Sequence, residues 1–290
     1  MQYDPIKHSL GAAFNKTPLL RILFYKLLDL LLLRTWHVKK TIRHWYRASS
    51  IEQPASSIQD PASLSLREAE RRSKSILDAG SGFGQYTYFL SGLRKNLQVD
   101  AVDVKEDQIA DCTQFFSHIG RKNVSFTTAD LTTFKKPDTY DLILSVDVME
   151  HILEDELVFR NFYESLKPGG MVLISTPSDQ GGSEVHNHDH DSSFIDEHVR
   201  DGYGVTGIQE KLKRAGFHEV EAHYTYGKPG QIGWKLSMKY PILMLNASKI
   251  FFLLLPFYYL LTYPVSLLCN GLDLWLKHKT GTGLIVKAWK

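Results

Sequence analysis

From Ile76 onward, short apolar runs alternate with segments whose apolar residues recur every three or four positions. The runs are Ile76–Ala79, Leu97–Val104, Asn123–Ala129, Tyr140–Val148 and Met171–Thr176; the segments between them include Glu106–Ile119 and Leu153–Leu166. A short apolar run bounded by turn residues reads as a strand, and the three-to-four spacing reads as a helix with one buried face. Their regular alternation predicts an α/β fold: a doubly wound, mostly parallel sheet with helices on both faces. Ligands of such sheets bind beyond the carboxyl ends of the strands.

Outside this region the pattern changes. Met1–Arg47 holds a leucine-rich run, Leu19–Leu33, interrupted by Arg21, Lys26 and Asp29, followed by a basic segment with Trp36, Trp45 and Tyr46 mixed in. The interruptions and the distance from Met1 argue against a secretory signal. The segment reads either as helices lying on a membrane surface or as a lid over the active site. Residues 48–63 are rich in Ser, Ala and Pro and form a linker, and a short charged helix over about Leu64–Ser75 leads into the catalytic domain, 64–230 with 280–290. Between these parts lies an apolar insertion, 231–279, whose stretch Ile250–Leu268 carries no charge over nineteen residues.

At about 28 Å of helix that stretch is long enough to span a bilayer. Pro256 and Pro264 interrupt it, lysines flank it, and Tyr258, Tyr259 and Tyr263 within it and Trp234 and Trp275 beyond it are of the interfacial kind, so it reads as a bent, monotopic membrane insertion acting with the N-terminal helices. The alternative is a buried helical subdomain or a dimer interface. The location expected is the cytoplasmic face of a membrane.

Composition narrows the choices only slightly. A net charge of +2 is too mild to argue for nucleic acid as a partner. Two widely separated cysteines, Cys112 and Cys269, supply neither a disulfide framework nor a metal spacing.

The chemistry concentrates at strand ends. The first strand runs through Asp78 into Gly80-Ser81-Gly82-Phe83-Gly84, a turn whose glycines permit left-handed backbone and close approach of a ligand. Asp103, Asp130 and Asp147 end the next three strands, and Asp103 follows the turn by about twenty residues, the separation of a carboxylate that accepts from ribose hydroxyls. The turn lacks the Gly-Lys-Ser/Thr of a phosphate-binding loop, which argues against a nucleotide hydrolase.

Ile76–Gln85, Val102–Asp103, Ala129–Asp130, Tyr140–Ile143 through Glu150-His151, Leu166–Gly170 and Leu173–Pro177 together resemble the class I S-adenosylmethionine-dependent methyltransferases, most closely the branch with quinone-biosynthesis enzymes. The resemblance implies a seven-stranded Rossmann-like sheet in which Phe217–Tyr226 and an antiparallel Gly283–Trp289 are the last two strands. It implies S-adenosylmethionine as cofactor, with Asp78, Gly80, Gly82 and Gly84 by its methionine part, Asp103 on the ribose, Asp130 and Leu131 by the adenine, and Asp147 with Val148 near the sulfonium.

Methyl transfer needs a positioned acceptor and a group to take its proton. His151, with Glu150 beside it, is the first candidate and His198 the second; the resemblance also allows a divalent metal on Asp147, Glu150 and His151. The loop Glu184–Asp191 alternates His with acidic residues and offers a second metal reading. Thr206-x-x-Gln209 reads as a capping box. The expected activity is methylation of a small lipophilic acceptor (a quinone-like phenol, an aryl or polyene pigment precursor, or a lipid) at a membrane surface; the alternative is a non-catalytic module of the same fold that recruits partners to a membrane.

Overall fold

The computed structural model describes residues 17–51, 74–94, 96–181 and 199–290. Seven strands form one sheet: β1 (Lys74–Ala79), β2 (Leu97–Asp103), β3 (Val124–Thr128), β4 (Tyr140–Val146), β5 (Leu166–Pro177), β6 (Glu219–Thr225) and β7 (Gly283–Trp289). Their order is β3-β2-β1-β4-β5-β7-β6, parallel except for β7, which is antiparallel to both β5 and β6. The expected fold class is therefore the one observed. β1 begins at Lys74, so the end of the expected Leu64–Ser75 helix is strand, and the rest of that segment lies outside the described residues. β5 starts five residues before Met171, because Leu166 already pairs with Tyr140.

Consecutive side chains on a strand point to opposite faces, and the central strands are apolar on both. Leu77, Ile143 and Val172 face one layer, packed by α5 (Asp155–Ser165) and α6 (Val205–Arg214) through Val158, Phe162, Ile208 and Leu212. Ile76, Leu142, Leu144 and Leu173 face the other, packed by α2 (Leu33–Ile51) through Val38 and Ile42 and by α3 (Gln85–Leu93) through Leu90. A smaller cluster joins Tyr25 of α1 (Pro18–Leu31) to Cys112, Phe115 and Phe116 of α4 (Glu106–His118). α6 lacks the expected capping box: its N-cap is Gly204, and the Gln209 amide donates instead to the Val220 carbonyl of β6.

The insertion between β6 and β7 is mostly helical: α7 (Lys228–Trp234), one π-type turn (Lys235–Lys239), α8 (Tyr240–Ala247) and, after a break at Ser248, α9 (Phe251–Trp275). The prolines do not break α9, which stays helical through Pro256 and Pro264, each removing one backbone bond. Tyr258 and Tyr259 hydroxyls donate to the Leu236 and Ser237 carbonyls of the π turn, at 2.8 and 2.9 Å. α7 approaches α9 closely because Gly230 and Gly233 face Asp273 and Asn270. The insertion also holds the N-terminal helices: Tyr263 bonds the Leu30 carbonyl, Lys40 the Leu274 carbonyl, and His37 the Asp273 carboxylate at 2.9 Å.

Asp273 is fully buried and central to this body. Its carboxylate lies 2.9 Å from His37 and 3.0 Å from His278 and accepts from the Tyr226 and Gly230 backbone amides. Burial works to raise its pKa, but the His37 hydrogen bond and the two imidazoles outweigh it and hold the carboxyl below its ordinary value.

Candidate active site

The Gly80–Gly84 turn lies at the carboxyl end of β1, where Gly80 and Ser81 amides both donate to the Val102 carbonyl of β2. All three glycines have positive φ, at +79°, +50° and +84°. A Cβ on Gly80 would lie 2.3 Å from a Val148 methyl, and one on Gly84 would lie 3.1 Å from both Cys112 Sγ and Phe116. Those two glycines thus serve the protein's own packing. At Gly82 the nearest atom would be 3.7 Å away, so this glycine answers to its backbone conformation.

Asp103 closes β2 beside the turn. One carboxylate oxygen accepts from the Gly82 amide at 2.8 Å, the other from the Lys105 amide at 3.0 Å. Fixed in this way, each oxygen keeps a lone pair for a further donor, and the two together suit adjacent hydroxyls. Asp78 sits beneath, 2 % exposed, accepting from Thr87 Oγ1 at 2.5 Å. Burial pushes its pKa up to about 7; the Thr87 bond opposes this and the Asp103 charge adds to it.

At the end of β3, Asp130 is exposed and accepts from the Thr132 amide at 2.8 Å, while Leu131 is buried and its carbonyl is held by Asn161. After β4, Asp147 takes positive φ, +52°, and its carboxylate forms an ion pair with Arg34 of α2. Glu150 and His151 follow in a single 3₁₀ turn, Met149–His151. Glu150 is 1 % exposed and accepts from Thr176 Oγ1 at 3.0 Å; burial raises its pKa. His151 is exposed.

The structure does not assemble the metal set considered from sequence. Among the described residues no group of three or more His, Cys, Asp or Glu side chains is arranged to hold a metal ion. Asp147 is engaged by Arg34 and Glu150 by Thr176. His198 and Glu184–Asp191 lie outside the described residues. Arg200 pairs with Asp155 and donates to the Ile152 and Leu153 carbonyls, and the neighbouring Val199 amide donates to the Glu150 carbonyl.

The N-terminal helices bring residues to this site that the strand pattern does not reveal. Arg21, 3 % exposed, donates to the Phe83 carbonyl in the turn at 2.9 Å and to Asp111 at 2.6 Å, and Tyr25 Oη donates to the same Phe83 carbonyl at 2.5 Å. Asp29 accepts from Gln85 Nε2 at 2.9 Å. Arg21, Tyr25 and Asp29 are spaced four apart, so one face of α1 addresses the glycine turn. That spacing was the available signal, hidden because charges in a leucine run read as interruptions. α2 adds Arg34, whose backbone amide donates to Tyr226 Oη at 2.9 Å, and Thr35, whose hydroxyl lies 3.2 Å from Tyr86 Oη.

A family model described as a methyltransferase domain matches residues 70–221. A phosphoethanolamine N-methyltransferase of Triticum aestivum is 33 % identical over 149 residues, covering 51 % of this chain and 28 % of its own length. An (S)-coclaurine N-methyltransferase of Thalictrum flavum subsp. glaucum is 36 % identical over 104 residues, 34 % of this chain and 28 % of its own. This chain thus spans under a third of the length of these curated relatives. Among solved structures, a Haemonchus contortus phosphoethanolamine N-methyltransferase 2, in complex with phosphomonomethylethanolamine and S-adenosylhomocysteine, superposes with a TM-score of 0.53 at 20 % identity, over 79 % of this chain and 52 % of that one.

Proposed function

The chain belongs to the methyltransferase-domain family, and on that premise we propose that it transfers a methyl group from S-adenosylmethionine to a lipophilic acceptor at a membrane surface. The observation that carries the cofactor is Asp103, braced on both oxygens by the Gly82 and Lys105 amides and offering its free lone pairs to a vicinal diol. The residues fit this cofactor: Asp103 would hold the ribose hydroxyls, Gly82 and the buried Asp78 would lie by the methionine part, Asp130 and Leu131 by the adenine, and Asp147 by the sulfonium. When bound, the cofactor supplies a methyl carbon already activated for displacement.

The chain's own work is then positioning, exclusion of water and removal of a proton. α1 and α2 cover the turn and bring Arg34 onto Asp147. In this reading His151, exposed beside Glu150, would accept the acceptor's proton.

The lipophilic acceptor rests on where the apolar surface lies. α1 turns Arg21, Tyr25 and Asp29 inward, which leaves Leu19, Leu23, Leu27 and Leu30 exposed on its other side. α9, by length and composition sufficient to cross a membrane, exposes Leu253, Phe257, Leu260, Leu261 and Leu268. Apolar patches of this extent mark interaction sites. β6 and β7 pair with one another on either side of the insertion, so both ends of α9 return to one sheet, the topology of a helix lying on a membrane. The N-terminal helices are tied both to α9, by Tyr263 on the Leu30 carbonyl, and to the strand ends of the site, by Tyr226 on the Arg34 amide.

Two measurements test this reading. Calorimetry should give S-adenosylmethionine binding that Asp103→Ala weakens about 100-fold, as expected for losing hydrogen bonds to a charged group; no binding of the cofactor or its demethylated product overturns the enzyme reading in favour of a non-catalytic module. Incubation with methyl-labelled cofactor and a host lipid extract should place label in the organic phase. Label confined to water-soluble products overturns the lipophilic acceptor.

A further inference from the structure

One face of the sheet is only partly covered. α3 packs against β2 and α2 against β5 and β7, and beside α2, toward β6, the same face opens into a cavity of about 810 Å³, bounded by α2 and by the segment linking α9 to β7. Its floor is apolar and aromatic: Met171, Ile285 and Trp289 from the sheet. Its walls are cationic. Lys40, Arg43, His44 and Arg47 recur at three- and four-residue spacing along one side of α2, opposite Lys277 and Lys287.

Among the described residues no Asp or Glu lines the cavity. Lys287 pairs with Glu221 on the outer edge, and Lys40 donates to the Leu274 carbonyl, whereas Arg43 and Arg47 form no ion pair among the described residues. A concave site with several cations, no carboxylate and an apolar floor is complementary to an anion joined to an apolar body.

Its position says which one. The wall residues Trp275 and Leu276, 85 % and 53 % exposed, are continuous with the exposed apolar side of α9. Tryptophan at such a border suits the level of lipid headgroups, and clustered Lys and Arg next to a membrane-facing helix suit anionic lipid. We infer that this cavity binds the anionic headgroup of a membrane phospholipid, holding the phosphate between the α2 cations and Lys277 while the acyl chains leave past Trp275. The inference rests on α9 meeting a membrane and is independent of the methyl-transfer reading.

The test is flotation of the full chain with phosphatidylcholine vesicles, with and without phosphatidylglycerol. Phosphatidylglycerol should raise binding at least about tenfold, from several cations each contributing near the surface. The triple variant Arg43→Glu/Arg47→Glu/Lys277→Glu should lose that gain yet still bind neutral vesicles, and Arg160→Glu/Lys213→Glu, which reverses exposed charges on α5 and α6, should keep it. A second readout is tryptophan fluorescence, since Trp45, Trp275 and Trp289 line the cavity. Short-chain phosphatidylglycerol below its micelle concentration should give a saturable change that the triple variant lacks. The proposal is overturned by equal binding to neutral and anionic vesicles, by a triple variant that keeps the gain, or by saturation with inorganic phosphate or an RNA oligomer in place of the lipid.

Discussion

The guanidinium of Arg34 and the carboxylate of Asp147, 113 residues apart, form an ion pair at the carboxyl end of β4. Asp147 holds positive φ there, and the backbone amide of the same Arg34 donates to Tyr226 beyond β6. The start of α2 is thus tied to two strand ends at once. Both side chains are about one-third exposed, so the pair contributes roughly 0.5–1 kcal/mol. Arg34→Ala should lower the unfolding free energy measured in urea by that amount and speed amide exchange over Leu31–Val38 several-fold. Unchanged exchange in that segment would show that the pair does not hold the cover in place.

Asp78 sets a pH dependence. Its ordinary value is 3.8 and its folded value about 7, so between these limits the native state holds a proton that the unfolded chain has released. Its contribution therefore favours the fold at low pH and is lost as pH rises from about 4 to 7. Asp78→Asn, which keeps an acceptor for Thr87, should be increasingly more stable than the parent across that window and level off above it. A cationic cofactor beside Asp78 favours the ionised form, so cofactor binding at pH 6.5 (a value inside that window) should release protons, seen as a dependence of the calorimetric enthalpy on buffer ionisation. No buffer dependence would remove Asp78 from the cofactor's surroundings.

The outer side of α9 offers a test that separates folding from the proposed membrane attachment. Leu253, Leu260 and Leu261 are 73–77 % exposed, so their replacement by Glu should change stability in buffer by no more than about 0.5 kcal/mol each. The same triple change should move the chain from the membrane fraction to the soluble one. Unaltered fractionation would count against insertion of this helix.

The seam between α7 and α9 should be intolerant of a single methyl group. On Gly233 a Cβ would lie 2.3 Å from Asn270 Oδ1 and 3.3 Å from the Ser266 carbonyl. Gly233→Ala is expected to cost about 1–3 kcal/mol, read from the thermal or urea midpoint. A neutral result would mean that Asn270 swings aside freely.

Much of this molecule was legible in sequence because the signals are local. Alternating apolar runs identified four of the strands to within two residues at each end, the family resemblance supplied β6 and β7 to the same margin, and β5 ran longer only because Leu166 reaches back to Tyr140 across the sheet. The glycine turn and the acids at the ends of β1, β2, β3 and β4 could be placed because, in a parallel sheet, strand ends gather on one edge. Helix caps and interruptions misled where a tertiary partner prevailed, as with Gln209 on Val220 and with Pro256 and Pro264 inside α9.

Spacing along a few residues was enough for the α/β class, the order of the strands, the Gly80–Gly84 turn and Asp103. That α1 presents Arg21, Tyr25 and Asp29 to that turn and its leucines outward, that Arg34 meets Asp147, and that Asp273 joins His37 to His278 came from the folded arrangement alone. These relationships depend on how helices far apart in the chain dock against the sheet. The docking is set by the summed fit of many side chains, and no single stretch of sequence records it.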